Sequence, residues 1–355
     1  MRITKRNNCV LCNNYSILNK IKNVKYPFSY INNTGEYDMA YGFCENCFSI
    51  QIMDLIDPAI LYNTNYILPC FNTYNWIQHN ISFVQFIVSS IEPIQPLIEI
   101  GGSSFCIGKH LIDLYKDYTV FDFSIAFEKK ENVKYIEGNC ETYDFEKGSN
   151  LILSHVFEHI YEPKKFIYNC SKNGVKNIII SIPNMNDDKI FFVTSQHTFS
   201  YSDNDIEYIF SLYNYNCIKK TLFNNNSLDC LFFHFSLVTD LNIIPRNINN
   251  KHYLYSLELL NKKINIPKNT FISTGGMYSI LIYNLIQNKE NLIGIIDRNP
   301  ILKDKKYGNT NLQIFPYEHL KKFDENTSII IHSINKNDII NCINKFNEKI
   351  NIILI

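Results

Sequence analysis

Two CxxC pairs, Cys9-Val-Leu-Cys12 and Cys44-Glu-Asn-Cys47, fall near the start of the chain. A CxxC turn aims two sulfurs at one point, so two such turns can close a tetrahedral zinc site. Residues 13–43 separate the pairs. That gap exceeds the roughly 15–20 residues of a zinc ribbon and predicts a lobe larger than a minimal ribbon. Four thiolates leave no open position on the metal, so the predicted role of Cys9, Cys12, Cys44 and Cys47 is structural. No thioredoxin-type unit surrounds either pair, which ranks redox use lower.

Further along, Pro96-Leu-Ile-Glu-Ile-Gly-Gly102 is a short apolar run ending in glycines. It predicts a buried strand and a turn where bare backbone at Gly101 and Gly102 lets a ligand approach a helix N-terminus. Glu99 stands at the end of that strand. Asp122 ends the next one, where an acid can accept hydrogen bonds from ribose hydroxyls. A third segment, Tyr135-Ile-Glu-Gly-Asn139-Cys140-Glu141, is placed to reach an adenine edge. A glycine pair with one downstream acid also fits an ordinary βα turn.

The elements that position these groups are read from periodicity. Ile77, Ile81, Val84, Val88 and Ile91 recur at helical spacing and predict a helix over 77–91, stopped before Pro93. Strands are predicted at 118–122, 150–154 and 176–182, with helical stretches between. Such alternation argues a parallel sheet covered on both faces. Residues 1–60 show few regular elements, and 184–250 is irregular and aromatic-rich, with a linker over 244–250. A second series then opens at 269–276, with strands at 292–297, 327–332 and 350–355. The expected fold class is α/β: a small N-terminal zinc module over 1–75, a central Rossmann-like sheet over 76–250 and a C-terminal Rossmann-like domain over 251–355.

Lys plus Arg and Asp plus Glu both number 34, so formal net charge is zero, which argues against a broad nucleic-acid footprint. No run approaches the roughly 18 apolar residues of a membrane span, and the basic start leads into no apolar export segment. The expected location is the cytoplasm. There the 11 cysteines stay reduced, which favours metal over disulfides. Cys230 and the other unpaired cysteines are expected to act as small buried hydrophobes.

The segment Leu153-Ser154-His155-Val-Phe-Glu158-His159-Ile160, followed by Glu162-Pro163, resembles the fourth-strand region of class I S-adenosylmethionine-dependent methyltransferases. The order Glu-Ile-Gly-Gly, Val-Phe-Asp122-Phe123-Ser, Ile-Glu-Gly-Asn-Cys-Glu and Ser-His-Val-Phe-Glu-His is similar to that family's as well. The resemblance implies S-adenosylmethionine as cofactor. It places Glu99, Gly101 and Gly102 by its methionine moiety, Asp122 and Phe123 by the ribose, Asn139 and Cys140 by adenine, and His155 near the active-site mouth.

The flanks resemble a narrower group, the three-domain zinc-containing sugar C-methyltransferases. The CxxC pairs, Leu61-Tyr62-Asn-Thr-Asn-Tyr66 and Trp76-Ile-Gln-His79 are similar to their zinc-binding N-terminus. Ser-Thr-Gly275-Gly276-Met277, Ile-Ile-Asp297-Arg-Asn-Pro300 and Tyr307-Gly308-Asn-Thr are similar to their Rossmann-like third domain. This implies a nucleotide-linked sugar substrate under a zinc-held covering module, with Tyr62, Tyr66 and Tyr201 toward the substrate. In that group a Tyr-x-Glu-His segment after the fifth strand supplies the base; here the stretch from Phe192 to Tyr201 makes His197 the general base, with Gln196 beside it. Imidazole titrates near neutral pH and is a fitting proton acceptor.

Two positions depart from the family pattern. Thr194 and Gln196 stand where the family has Tyr and Glu. Glutamine cannot carry the charge that stabilises an imidazolium, which moves the expectation from carbon methylation toward O-methylation of a sugar hydroxyl. Phe105 replaces the later glycine of the glycine loop. These departures sustain a rival reading, a binding or scaffold protein with a degenerate methyltransferase fold. A second rival is a nucleotide-sugar oxidoreductase using the Gly275–Asp297 unit, whose glycines fall short of GxGxxG.

Overall fold

Short apolar runs that are buried along most of their length favour the two mainly parallel sheets. The structure is a computed structural model that describes residues 3–12, 17–27, 35–62, 74–125, 129–185, 193–225, 228–246, 257–276, 278–332 and 336–355. Tyr66, Met277 and residues 247–250 of the expected linker lie outside the described residues.

The N-terminal part holds β1 (Ile3–Lys5), β2 (Asn19–Pro27), β3 (Glu36–Phe43), β4 (Ile50–Ile52), β5 (Asp54–Ile56) and the short helix α1 (Pro58–Leu61). Strands β2, β3 and β4 form an antiparallel sheet, and β1 pairs with β5. This is more regular structure than periodicity predicted for residues 1–60. The strands there are short or carry polar residues on one face, so their apolar signal is weak.

Next come α2 (Tyr74–Val88), β6 (Leu97–Ile100), α3 (Gly108–Leu111), β7 (Tyr118–Asp122), β8 (Val133–Glu137), β9 (Asn150–Ser154), α4 (Pro163–Asn173), β10 (Asn177–Pro183), α5 (Asp203–Ser211), β11 (Tyr215–Asn224) and β12 (Asp229–Leu237). Their seven strands lie in the order β11-β12-β10-β9-β6-β7-β8. From β8 to β10 all neighbours are parallel, and β12 runs antiparallel to both β10 and β11. Strand order reverses between β6 and β9, which opens a crevice beyond their carboxyl ends where ligands bind in open α/β sheets.

Two expectations change here. The helix α2 buries His79, Asn80, Phe83, Phe86 and Ile87, whereas Ile77, Ile81 and Val88 are exposed. The aliphatic stripe marked the helix but not its inner face, because aromatic rings fill the groove against Phe232. The stretch expected to be irregular holds α5 and the β11–β12 hairpin. Its strand β12 is buried along most of its length and so lacks polar alternation.

The last part holds β13 (Thr270–Ser273), α6 (Tyr278–Leu285), β14 (Leu292–Ile296), β15 (Ile314–Phe315), β16 (Ser328–Ile331), α7 (Lys336–Phe346) and β17 (Asn351–Leu354). All its strand pairs are parallel, in the order β15-β14-β13-β16-β17, a Rossmann-type order. The cores cross between the three parts. Cys9, Cys12, Cys44 and Cys47 share one buried cluster with Phe157, Ile180, Phe199 and Phe210. Residues of β2–β5 share another with Ile272, Leu281 and Ile295. Among the described residues no helix is long and apolar enough to cross a membrane.

Candidate functional site

The crevice is floored by the turn after β6. Gly101 has φ +74°, and a Cβ there would lie 2.3 Å from Val156 Cγ2. Glycine is needed both for the left-handed backbone and for that approach. A 3-10 turn over Gly102–Ser104 follows. Glu99 lies beneath it: its carboxylate accepts from the Tyr118 hydroxyl at 2.6 Å and would touch a Cβ on Gly102 at 2.8 Å. Burial pushes its carboxyl up to about 7. Glu99 therefore braces the turn from below. Phe105 takes φ +51° at the end of the 3-10 turn, with its ring over Gly108.

The crevice wall comes from β7 and β8. Asp122 Oδ1 accepts from the Phe123 amide at 2.7 Å, and Asp122 lies opposite Glu137 in register. Asn139 caps its own turn by accepting from Glu141 N at 2.9 Å. Cys140 is buried, and burial pushes its thiol up. The Tyr62 ring stacks on Phe123 at 5.9 Å with an interplanar angle of 9°, and its hydroxyl meets His159 Nδ1 at 2.7 Å. A residue expected at the substrate thus joins the expected cofactor wall to the segment after β9.

That segment carries a dense titratable group. His155, at φ +54°, places Nδ1 3.2 Å from Glu158 Oε1 and Nε2 3.4 Å from Cys230 Sγ. Its ring packs on Trp76 and on His79, whose Nε2 bonds Ser181 Oγ at 2.7 Å. Cys230 is therefore a hydrogen-bonding neighbour of an imidazole as well as a buried apolar group. Burial lowers His155 to about 3, and burial followed by the charge of His155 lowers His79 to about 3. Glu158 is fully buried, and burial raises its carboxyl to about 7. Among the described residues its Oε2 has no hydrogen-bond partner. The rings of His159 and His197 stand 4.9 Å apart, and one ligand atom each from Glu158, His159 and His197 lie within 4.8 Å of one another.

His197 rides on a side-chain-capped turn. Thr194 Oγ1 accepts from the amides of Gln196 and His197 at 3.2 and 3.3 Å, and Thr194 N donates to His197 O at 2.9 Å. Thr194 thus shapes the turn through its hydroxyl. Gln196 lies half-buried on the same turn. Tyr201 is fully buried and donates to Pro183 O at 3.1 Å, so it serves the core and does not face the crevice.

The four cysteines meet as the spacing predicted. Cys9 Sγ lies 3.5 Å from Cys47 Sγ, and Cys12 Sγ 3.6 Å from Cys44 Sγ. Zinc–sulfur bonds of about 2.3 Å at tetrahedral angles need sulfurs about 3.8 Å apart, so the set fits zinc. Gln51 Nε2 donates to Cys9 Sγ at 2.8 Å, and Asn46 Nδ2 to Cys12 Sγ at 3.4 Å. Lys164 and Arg246 bring positive charge to the thiolates. The same lobe holds the His197 turn: Gln51 bridges Phe199, Ile52 N donates to Thr198 O at 2.9 Å, and Arg6 Nη1 donates to Thr198 O at 2.8 Å. Arg6 is buried, and burial lowers its pKa to about 10.

No family model matches the chain, and no curated relative is found. Solved structures similar to it include a magnesium protoporphyrin IX methyltransferase from Synechocystis PCC 6803 with bound S-adenosylhomocysteine. That likeness has 12% identity, covers 46% of this chain and 84% of that one, and has a TM-score of 0.39. The N-methyltransferase NodS from Bradyrhizobium japonicum WM9 is similar at 13% identity, over 47% of this chain and 89% of that one, with a TM-score of 0.39. A putative methyltransferase from Haloferax volcanii, complexed with the Trm112 activator, is similar at 8% identity, over 48% and 98%, with a TM-score of 0.37. Such likenesses concern fold and decide nothing about the acceptor.

In the C-terminal sheet Asp297 turns onto its own loops. It accepts from Gly275 N at 2.6 Å and Asn299 N at 2.7 Å, and a Cβ on Gly275 would meet it at 3.3 Å. An acid so occupied is a poor ribose ligand, which disfavours the oxidoreductase reading. Sequence reasoning passed over Arg6 and Gln51 and assigned no role to Glu158 or His159. The His-x-x-Glu-His spacing was the available signal for the latter two.

Proposed function

We propose that this chain is an S-adenosylmethionine-dependent methyltransferase. The observation that carries the reading is the Tyr62 bridge. It joins Phe123, next to the acid that ends β7, to His159 in the titratable group after β9, across the crevice where strand order reverses. Gly101 and Gly102 line the cofactor's approach, Asp122 holds its ribose, and Asn139 with Cys140 lies toward the adenine. The four cysteines hold a structural zinc. When bound, S-adenosylmethionine supplies an electrophilic methyl group.

The acceptor gives up its proton at the group of Glu158, His159 and His197, which contains the expected base His197. Held by Gly101, Gly102 and Asp122, S-adenosylmethionine would supply the methyl carbon to the acceptor's oxygen or carbon, with its sulfur as the leaving group. The chain's main contribution is near-attack positioning. A small hydroxylated acceptor, a nucleotide-linked sugar, is the substrate class that the layout of residues 1–75, 76–250 and 251–355 supports.

Calorimetry with S-adenosylhomocysteine, paired with transfer of labelled methyl to a panel of nucleotide sugars, tests this reading. Binding and transfer are expected. His197→Ala should lower turnover strongly with cofactor affinity near wild type. Absence of binding would favour the scaffold reading.

A further inference from the structure

We infer that Glu158, His159 and His197 form a binding site for a divalent first-row metal ion, separate from the four-cysteine centre. Two imidazoles and one carboxylate, drawn from a 3-10 turn over Phe157–His159 and from the turn after residue 192, converge with ligand atoms inside 4.8 Å. Bonds of about 2.1 Å need neighbouring ligand atoms roughly 3 Å apart. Glu158 Oε1 lies 4.0 Å from His159 Nε2, so side-chain rotations of about an ångström suffice.

The surroundings prepare each group for a cation. Tyr62 hydroxyl meets His159 Nδ1 at 2.7 Å, which leaves Nε2 for the metal once Nδ1 holds the proton. Ligating histidines are oriented by such outer partners. His155 Nδ1 meets Glu158 Oε1 at 3.2 Å, while Oε2 is buried with no hydrogen-bond partner among the described residues. A fully buried carboxylate oxygen left in this state is destabilising, and a cation removes that cost. The side chains of His155 and His159 keep 13% and 16% exposure, so the group reaches solvent on one side. Three protein ligands leave open positions for acceptor oxygens, and nitrogen-with-oxygen sets of this kind suit first-row divalent metals.

The site's role rests on the methyl-transfer reading; its existence does not. A metal-bound acceptor hydroxyl loses its proton to solvent more readily than a free one. With such an ion bound, Glu158, His159 and His197 would hold it, and the ion would supply the acidification in place of direct proton transfer to His197. The turnover loss expected for His197→Ala would then arise from loss of a ligand.

The test is titration of the zinc-loaded protein with Mn2+, followed by calorimetry and by the electron paramagnetic resonance of free Mn2+, with no S-adenosylmethionine present. One equivalent of bound Mn2+ beyond the zinc is expected. Glu158→Gln and His197→Ala should weaken it by about 100-fold or more while zinc content is unchanged, and Tyr62→Phe by about 10-fold. Failure of the wild-type protein to bind Mn2+, or binding unaltered in Glu158→Gln and His197→Ala, overturns the site. Mn2+ binding without S-adenosylhomocysteine binding leaves the site standing and removes the methyl-transfer reading.

Discussion

The Gln51 side-chain amide donates to Cys9 Sγ at 2.8 Å, while the backbone of the same residue pairs with Phe199, two residues beyond His197. The four-cysteine centre and the His197 turn are thereby parts of one packed unit. If the four cysteines hold zinc as proposed, stripping it with a chelator should raise hydrogen exchange at Thr198 and Ser200, whose amides donate to Glu158 O and Ile50 O. Gln51→Ala, which leaves Val10 N without its 3.1 Å acceptor, should cost about 1–3 kcal/mol and speed metal release. Unchanged exchange at 198–200 after metal loss would separate the two.

Gly101→Ala tests the turn after β6 and its proposed place under the cofactor. The added Cβ would take a left-handed backbone at about 1–2 kcal/mol and press on Val156, with overpacking costs of about 1–3 kcal/mol. Urea unfolding should show a loss of about 2–5 kcal/mol, and calorimetry should show weaker S-adenosylhomocysteine binding. A wild-type urea midpoint would contradict this geometry.

Glu99 gives a pH signature. Its carboxyl is raised to about 7 by burial, against roughly 4.3 in an unfolded chain. Between those values the folded state holds a proton that the unfolded state has released, so stability falls as pH rises through that window. The share from Glu99 is on the order of 4 kcal/mol. Glu158 acts with the same sign. The buried His155, lowered to about 3, acts oppositely, its stability contribution being lost as pH falls below about 6.5. Melting temperatures of Glu99→Gln should therefore fall less than wild type between pH 5 and 8. Parallel curves for the two proteins would refute the assignment.

Phe105 occupies a left-handed position yet is 9% exposed, with its ring over Gly108. Phe105→Gly relieves about 1–2 kcal/mol of backbone cost but removes a buried ring worth about 3–5 kcal/mol. A net destabilisation of about 1–4 kcal/mol is expected in urea unfolding, and a stabilised variant would show that the ring contributes little.

Local pattern carried much of this molecule. The strands at 118–122 and 150–154 stand where buried runs placed them. The two CxxC turns met because that spacing aims sulfurs together whatever lies between. The inner face of α2 was hidden, since Ile77 and Ile81 advertise an apolar stripe while the sheet accepts His79 and Phe83. Tyr201 shows the same limit: a tyrosine near His197 in sequence looks outward on paper, yet its ring fills the core.

Covalent spacing set what nearby residues can do together: the thiolate pairs, the glycine turn after β6 and the His-x-x-Glu-His run. Which distant groups meet was decided only when the sheets and the N-terminal lobe packed. That packing put Tyr62 on His159, His197 beside both, and Gln51 between a cysteine and the His197 turn. Such encounters depend on strand order and on burial summed over many side chains, and no short window of sequence encodes either.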